Sequence, residues 1–463
     1  MKEETIVAIA TAMGEGSIGI IRLSGPEALR AGQTLFISEN DKKVEKPEPR
    51  KMIYGKIRDP KSDEYIDEAL FVYMPGPHSY TAEDVVELHL HGSIQSLQLT
   101  LGILLEVKGV RLAEPGEFTQ RAFLNGRLDL SQAEAVIDVI RSRTDRSLKA
   151  AVGQLSGGLA LKIKEISNPL LDLIARLEVV IEYPEDSLEE TELPRIRLEL
   201  ENTLKEVEKL RKSGREGKIL REGLMTAIIG LPNVGKSSLL NRLLGEERAI
   251  VTDIPGTTRD MIEEYFSLGG IPLKLIDTAG IRETGDKVEK IGVERSRKAL
   301  EEAQFILMVL DGSRDLEPEE VELLNQSNPN QTLILVNKSD LLMTKDGVKT
   351  KLEKEGFIAP VIFISAETGE GIEELKAAVV RWVSQDGALL EGNPLVTNTR
   401  QIEALRKGEE ALKEAIDALD QGLPPDCILV DIREAWAKIS EISGQAVSEQ
   451  IISHIFSKFC LGK

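Results

Sequence analysis

Met225-Thr226-Ala227-Ile228-Ile229 runs into Gly230-Leu231-Pro232-Asn233-Val234-Gly235-Lys236-Ser237 and then into Ser238-Leu239-Leu240-Asn241-Arg242-Leu243-Leu244. An apolar run, a loop bounded by glycines and a helix-like segment predict strand, loop and helix, the setting in which G-x-x-x-x-G-K-S wraps a phosphate. The glycines let backbone N–H groups turn inward around phosphate oxygens. Lys236 can reach the outer phosphates and the Ser237 hydroxyl a Mg²⁺ ion. The helix N-terminus adds partial positive charge. The competing reading of the loop, an ordinary Gly-rich strand-to-helix turn, fits this context less well.

Four further segments follow in order. Asp253-Ile254-Pro255-Gly256-Thr257-Thr258-Arg259 is a polar loop whose threonines suit a metal and a γ-phosphate. Leu273-Lys274-Leu275-Ile276 is a buried-strand pattern that ends in Asp277-Thr278-Ala279-Gly280, a carboxylate for the Mg²⁺ shell followed by a glycine near the γ-phosphate. Thr332 to Val336 is another apolar strand, ending in Asn337-Lys338-Ser339-Asp340, and Phe363-Ile364 ends in Ser365-Ala366-Glu367. This is the motif order of a small G domain. Asp340 can accept from both N1–H and the exocyclic amine of guanine, a pair that adenine lacks, and such a site rejects the wrong base by about 10⁴-fold. The expected GTP-binding set is Asn233, Val234, Gly235, Lys236, Ser237 and Ser238, then Thr252, Asp253, Ile254, Pro255, Gly256, Thr257 and Thr258. Asp277, Thr278, Ala279, Gly280, Asn337, Lys338, Asp340, Ser365 and Ala366 complete it.

The 463 residues allow two to four domains. A hydrophobic content of 41% and a charged content of 29% are those of a soluble globular chain. No apolar run reaches the length of a membrane span, and Met1 to Thr5 has no signal-peptide pattern. Two cysteines, Cys427 and Cys460, fit a reducing cytoplasm. A net charge of −20 excludes generic nucleic-acid binding by field alone, so action on RNA needs a local basic patch or a partner that supplies one.

Residues 1–120 read as mixed α/β, with strand-like runs at Ile6 to Ala10, Ile18 to Leu23 and Ala69 to Met74. Val85 to His91 alternates, placing Val86, Leu88 and Leu90 on one side and Glu87, His89 and His91 on the other. From the residues alone, that second side reads as a solvated sheet surface. Helical spacing begins near Ser131 and continues through Leu170 to Leu177 and Leu198 to Leu210, with an acidic loop from Glu182 to Glu192. It returns after the G segment at Ile402 to Leu419, Val430 to Ile442 and Val447 to Phe459, broken at Pro424-Pro425. The expectation is an α+β domain over 1–120, a G domain over 218–385, and a discontinuous helical domain over 121–217 and 386–463 into which the G domain is inserted.

Three stretches narrow the class. Glu114-Pro115-Gly116-Glu117-Phe118-Thr119-Gln120-Arg121-Ala122-Phe123-Leu124-Asn125-Gly126-Arg127-Leu128-Asp129 with Leu130-Ser131-Gln132-Ala133-Glu134-Ala135 resembles the signature of the MnmE (TrmE) family of tRNA-modification GTPases. Phe459-Cys460-Leu461-Gly462-Lys463 resembles that family's terminal C-(I/L/V)-G-K, and Thr5 to Thr11 also matches. The resemblance spans the chain. It implies an N-terminal folate-binding-type domain through which the family forms homodimers. It also implies work with the flavoprotein MnmG (GidA) to place an aminomethyl or carboxymethylaminomethyl group on C5 of the wobble uridine of certain tRNAs. A reduced folate, 5-formyl- or methylene-tetrahydrofolate, is implied.

By the same resemblance Arg22, Glu87, Arg127 and Lys463 are the folate-contacting positions. Arg127 stands where some relatives carry Lys, which keeps the charge and changes the geometry. A pterin edge offers donors to Glu87, and the anionic folate tail suits Arg and Lys. Cys460 is open between a chemical role and simple packing. Ile281 occupies the place of the water-orienting Gln of Ras-like switches and has no polar atom to offer. The resemblance assigns that task to Glu289, acting through a second water. It also implies a K⁺ ion, bound when two G domains pair, with the Asn233 side chain, backbone oxygens of Thr252 and Ile254 and the Thr257 hydroxyl as ligands, while Mg²⁺ takes Ser237 and Thr258. Arg259 is the competing source of charge stabilisation. Two other functions fit the motifs less well: a regulatory GTPase that binds ribosomal RNA, and a folate-dependent aminomethyltransferase acting on a protein.

Overall fold

The structure, a computed structural model, describes residues 4–40, 44–183, 193–246, 265–276, 298, 300–342, 345–354, 356–384, 387, 396–445, 447–459 and 462. The chain forms two compact units. One holds Met1–Ile137, Leu155–Asn168 and Trp436–Lys463; the other holds Asp138–Gln154 and Pro169–Ala435. No described helix is long and apolar enough to cross a membrane.

The first unit is built on β1 (Thr5–Ile9), β2 (Gly16–Ser24), β3 (Phe36–Ser38), β4 (Ile53–Arg58), β5 (Tyr65–Met74), β6 (Val85–Gly92) and β7 (Val110–Leu112). Their order in the sheet is β3-β4-β5-β6-β2-β1-β7. Only the β1–β7 pair is parallel. Helices Ala28–Leu35 and Ile94–Leu105 bury Ala28, Ala31, Leu35, Leu97 and Leu104 against Val7, Ile21, Leu23, Val86, Leu88 and Leu90. Because side chains alternate along a strand, the neighbours of these residues point the other way. Register then sets Ala8, Arg22, Glu87 and Val72 side by side in one cross-strand row on the opposite face. On that face Ile6 and Ala8 pack with Ala113 and Phe118, with Tyr80 against them. The helices Glu117–Leu124, Leu130–Arg141 and Glu449–Phe456 share a small core of Leu130, Ala133, Phe456 and Phe459. The terminal helix is shorter than the 447–459 expected from its pattern, and Phe459 reaches this core from beyond its end.

The second unit contains β8 (Leu224–Ile229), β9 (Tyr265–Leu268), β10 (Ile271–Leu275), β11 (Phe305–Asp311), β12 (Thr332–Asn337) and β13 (Val361–Phe363), in the order β13-β12-β11-β8-β10-β9. Only β9 is antiparallel to its neighbour. The parallel strands are covered on both faces by separate apolar clusters, which explains why Phe305 to Leu310 and Thr332 to Val336 read as unbroken apolar runs. Helix Leu193–Glu222 leads directly into β8, and helix Thr399–Asp420 follows the G segment. The two lie antiparallel, with Arg197 paired to Asp420 and Arg211 to Glu409. The G domain is therefore an insertion whose two ends leave from neighbouring helices. The first helix is longer than the 198–210 stretch read from the sequence. Its last turns carry the small residues Ser213, Gly214 and Gly217, which break the apolar pattern. They are needed because a Cβ at Gly217 would meet the Val396 carbonyl oxygen at 2.0 Å.

Candidate functional site

The loop after β8 is shaped by close backbone approach. A Cβ at Gly230 would lie 2.3 Å from the Val309 carbonyl oxygen, and one at Gly235 (φ +97°) would lie 2.1 Å from Asn337 Nδ2. Between them Asn233 adopts φ 65°, a left-handed conformation that Asn tolerates better than most residues. The Lys236 ammonium donates to the carbonyls of Gly230 and Leu231, both at 2.8 Å, across the mouth of the loop. Burial lowers its pKa. Ser237 and Ser238 follow in the exposed first turn of helix Lys236–Glu246.

Asn337, only 2% exposed, joins three of the sequence motifs. Its Nδ2 donates to the Val234 carbonyl at 2.8 Å, and its Oδ1 accepts from the Ala366 amide at 3.0 Å. Lys338, with φ 61°, turns the chain and pairs with Asp311 at the end of the adjacent β11. Burial pushes the Asp311 carboxyl up, but hydrogen bonds from Lys338 and Ser313 outweigh it, and the net shift is down. Asp340 is exposed in the short turn Ser339–Leu341. The Ser365 amide donates to the Glu370 carbonyl at 2.9 Å, and Arg242 Nε donates to the Ala366 carbonyl at 3.0 Å. A loop held close to Val309 and Asn337, a cation bonded to its first carbonyls and an exposed carboxylate in the turn after Asn337 can hold a phosphate chain and a base.

In the first unit, Arg22 Nε donates to Glu87 Oε1 at 2.9 Å across the β2–β6 pair. Glu87 Oε2 accepts from His89 Nε2 at 3.0 Å. Burial raises the Glu87 pKa, while the His89 hydrogen bond and the Arg22 charge lower it more, leaving it below the usual carboxylate range. The Arg22 guanidinium lies 5.4 Å from the Tyr80 ring centroid and 5.8 Å from that of Phe118. Arg127 lies 5.1 Å from the same Tyr80 ring, and the Tyr80 hydroxyl meets Thr119 Oγ1 at 2.9 Å. All three distances are in the cation–π range. Gly462, at φ +87°, runs so close to the end of β1 that a Cβ there would lie 2.3 Å from the Ile9 carbonyl oxygen.

Of the expected GTP residues, Asn233 to Ser238, Asn337, Lys338, Asp340, Ser365 and Ala366 are described, and Asn337 bonds the first loop to the last. Arg22 and Arg127 both approach the Tyr80 ring, and Glu87 is bonded to Arg22. Thr252, Asp253, Ile254, Pro255, Gly256, Thr257, Thr258, Arg259, Asp277, Thr278, Ala279, Gly280, Ile281, Glu289, Cys460 and Lys463 lie outside the described residues. Sequence reasoning did not single out Asp311, Tyr80, Phe118 or His89 as site residues. Asp311 carried a signal, since like Asp277 it ends an apolar strand. Tyr80 and Phe118 carried none, because only the fold brings them to Arg22.

A mainly parallel sheet, a Gly-bounded phosphate loop and an NKxD asparagine bonded to that loop define a P-loop GTPase. The family of the MnmE helical domain matches residues 130–460, and the family of the GTP-binding protein TrmE N-terminus matches residues 5–127. The chain is 47% identical over 466 residues to the tRNA modification GTPase MnmE of Clostridioides difficile (strain 630), covering 100% of this chain and 99% of that protein. It is 45% identical over 463 residues to the protein of that name from Desulforamulus reducens, covering 100% of both. Among solved structures, the G domain of the T. maritima FeoB iron transporter is 29% identical and covers 34% of this chain and 98% of its own, at a TM-score of 0.23, too loose a match to add to the fold described above. The chain belongs to the MnmE (TrmE) family.

Proposed function

We propose that this chain hydrolyses GTP and, with a flavoprotein partner of the MnmG (GidA) kind, installs an aminomethyl or carboxymethylaminomethyl group at C5 of the wobble uridine of certain tRNAs, using a reduced folate. It works in the cytoplasm as a homodimer joined through its N-terminal domain. The division into 1–120, 121–217 with 386–463, and 218–385 belongs to the same reading. The observation that carries it is the buried Asn337 side chain, which bonds to Val234 on one side and Ala366 on the other and so unites phosphate and base recognition in a chain of this family.

Lys236 and the backbone from Asn233 to Ser238 hold the phosphates, and Asp340 accepts from guanine. Ser237 and Thr258 would hold Mg²⁺, and Asn233, Thr252, Ile254 and Thr257 would hold K⁺ when two G domains pair. The cations supply neutralising charge at the phosphates. Glu289 orients the attacking water. The Arg22–Glu87 pair fits a donor-rich pterin edge. Arg127, exposed and with no carboxylate partner among the described residues, suits an anionic tail. Lys463 and Cys460 follow and precede Gly462, whose backbone passes the end of β1 in the same unit. Mass spectrometry of wobble nucleosides with and without the gene tests the reading. An unchanged nucleoside profile sinks it.

A further inference from the structure

His89 is none of the residues assigned to folate, nucleotide or cations. The alternation of β6 puts it on the same face as Glu87, two residues on, where the sequence alone reads a solvated surface. The structure instead leaves its side chain only 16% exposed and sets Nε2 3.0 Å from Glu87 Oε2. A carboxylate oxygen only accepts, so Nε2 carries the hydrogen. Glu87 is thus held from two sides, by Arg22 Nε on Oε1 and by His89 Nε2 on Oε2. A Glu side chain on a sheet has three rotatable bonds. One contact leaves the carboxylate plane free to turn about the bonded oxygen; two contacts, from a different strand and from the same strand, fix that plane. Each oxygen keeps a further lone pair for a ligand's paired N–H donors.

We propose that His89 is a positioning residue for Glu87: by donating to Oε2 it orients the carboxylate that accepts from the pterin edge of the reduced folate. The inference rests on the folate reading of this face. It goes beyond it by adding a residue that acts only through another. A preset acceptor loses less conformational entropy when a ligand arrives, which is where the affinity is gained. The neighbouring His91 supplies the contrast. It shares the strand face but bonds through Nδ1 to Asp67 at 2.7 Å, and it is exposed.

The test is binding of 5-formyltetrahydrofolate to the full-length protein by calorimetry, with thermal unfolding of each variant as a check on folding. His89→Leu removes the donor, and affinity is expected to fall about tenfold or more, the scale of a hydrogen bond to a charged group. His89→Gln keeps a donor of similar reach and is expected to recover most of that loss. His91→Gln is expected to bind as the unaltered protein does. If His89→Leu binds as tightly as the unaltered protein, or if His89→Gln is as weak as His89→Leu while both stay folded, the positioning role is wrong. If the unaltered protein does not bind 5-formyltetrahydrofolate, the folate reading itself fails and takes this inference with it.

Discussion

The two candidate sites are built from different materials. The nucleotide pocket is made largely of backbone: the turn between Gly230 and Gly235, the Val234 carbonyl and the Ala366 amide, drawn together by one buried side chain, Asn337. The N-terminal face is made of side chains: Arg22, Tyr80, Glu87, His89, Phe118 and Arg127, with the backbone at Gly462 passing nearby. A backbone-built site demands several special residues in a row, because a loop that turns its N–H groups inward needs glycines and left-handed positions at fixed offsets. A side-chain site demands only one residue per strand or helix, at positions set by register. The first leaves a motif in the sequence. The second leaves single letters, and its residues meet only once the strands have paired.

That contrast makes the base-recognition position the most sensitive to a single atom. Asp340→Asn exchanges a two-fold acceptor for one acceptor and one donor. The preference for GTP over xanthosine triphosphate is expected to shift by about 10⁴-fold, the scale on which an unpaired polar group rejects a ligand. Competition binding with the two nucleotides measures it, and an undisturbed GTP preference would remove Asp340 from base recognition.

A smaller effect is expected where a side chain acts on the attacking water rather than on the base. Glu289→Ala should slow hydrolysis about 10²- to 10³-fold while nucleotide affinity stays nearly unchanged, because a group that acts on the attacking water contributes in the transition state. Single-turnover rates and nucleotide dissociation constants separate the two. Replacing K⁺ by Na⁺ at constant ionic strength should also slow the unaltered protein, and a variant that fails to bind GTP would point to a folding defect instead.

Legibility followed the same division. The phosphate loop, NKxD and SAE segments could be read directly, and so could the apolar strands before them, since strands covered on both faces are apolar without interruption. The flanking helices were legible in kind but not in length. Helix Leu193–Glu222 outruns its apolar pattern because Gly214 and Gly217 let Ile402 and the Val396 carbonyl come close, and glycine in a helix reads from sequence as a stop. The N-terminal face was opaque. Glu87 and His89 alternate with Val86, Leu88 and Leu90 as any half-exposed strand does, and only the pairing of Arg22 with Glu87 separates a site from a wet surface. Arg22, Glu87 and Arg127 came from family resemblance, while Tyr80, whose ring both Arg22 and Arg127 approach, matched nothing that sequence alone could supply.

The C-terminal tail tests whether that second site draws on the chain's last residues. At Gly462 the backbone has φ +87°, and a side chain would enter the Ile9 carbonyl. Gly462→Val should therefore displace the tail from the end of β1, with strain of about 1–3 kcal/mol. Reduced-folate affinity is expected to fall about tenfold, taking about 1.4 kcal/mol of that as the share felt by the ligand. GTP binding serves as the reference for intact folding. Folate binding equal to that of the unaltered protein would leave the tail outside the site.

The smallest effect expected is a pH dependence that belongs to the side-chain site. Glu87 has an ordinary carboxyl value of 4.5 when unfolded and a lower one when folded; burial opposes the shift, and the hydrogen bond from His89 and the charge of Arg22 prevail. A depressed folded value means that the unfolded chain binds the proton more readily. Stability from this pairing is therefore fully present above 4.5 and lost as pH falls through the lowered folded value. Glu87→Gln has no proton to gain, so its stability lacks this component of the acid loss. The measurement is amide hydrogen exchange at the paired strands β2 and β6, comparing the two proteins at each pH from about 6 to about 3, so that the intrinsic pH dependence of exchange cancels. The unaltered protein is expected to hold those amides more tightly at the upper end, with the difference shrinking toward the lower. The other depressed carboxylates, Glu117 beside Arg111 among them, are common to both proteins and drop out of the comparison. A difference that stays constant across the range would mean that Glu87 holds the sheet by shape alone, and that its charge is kept for a ligand.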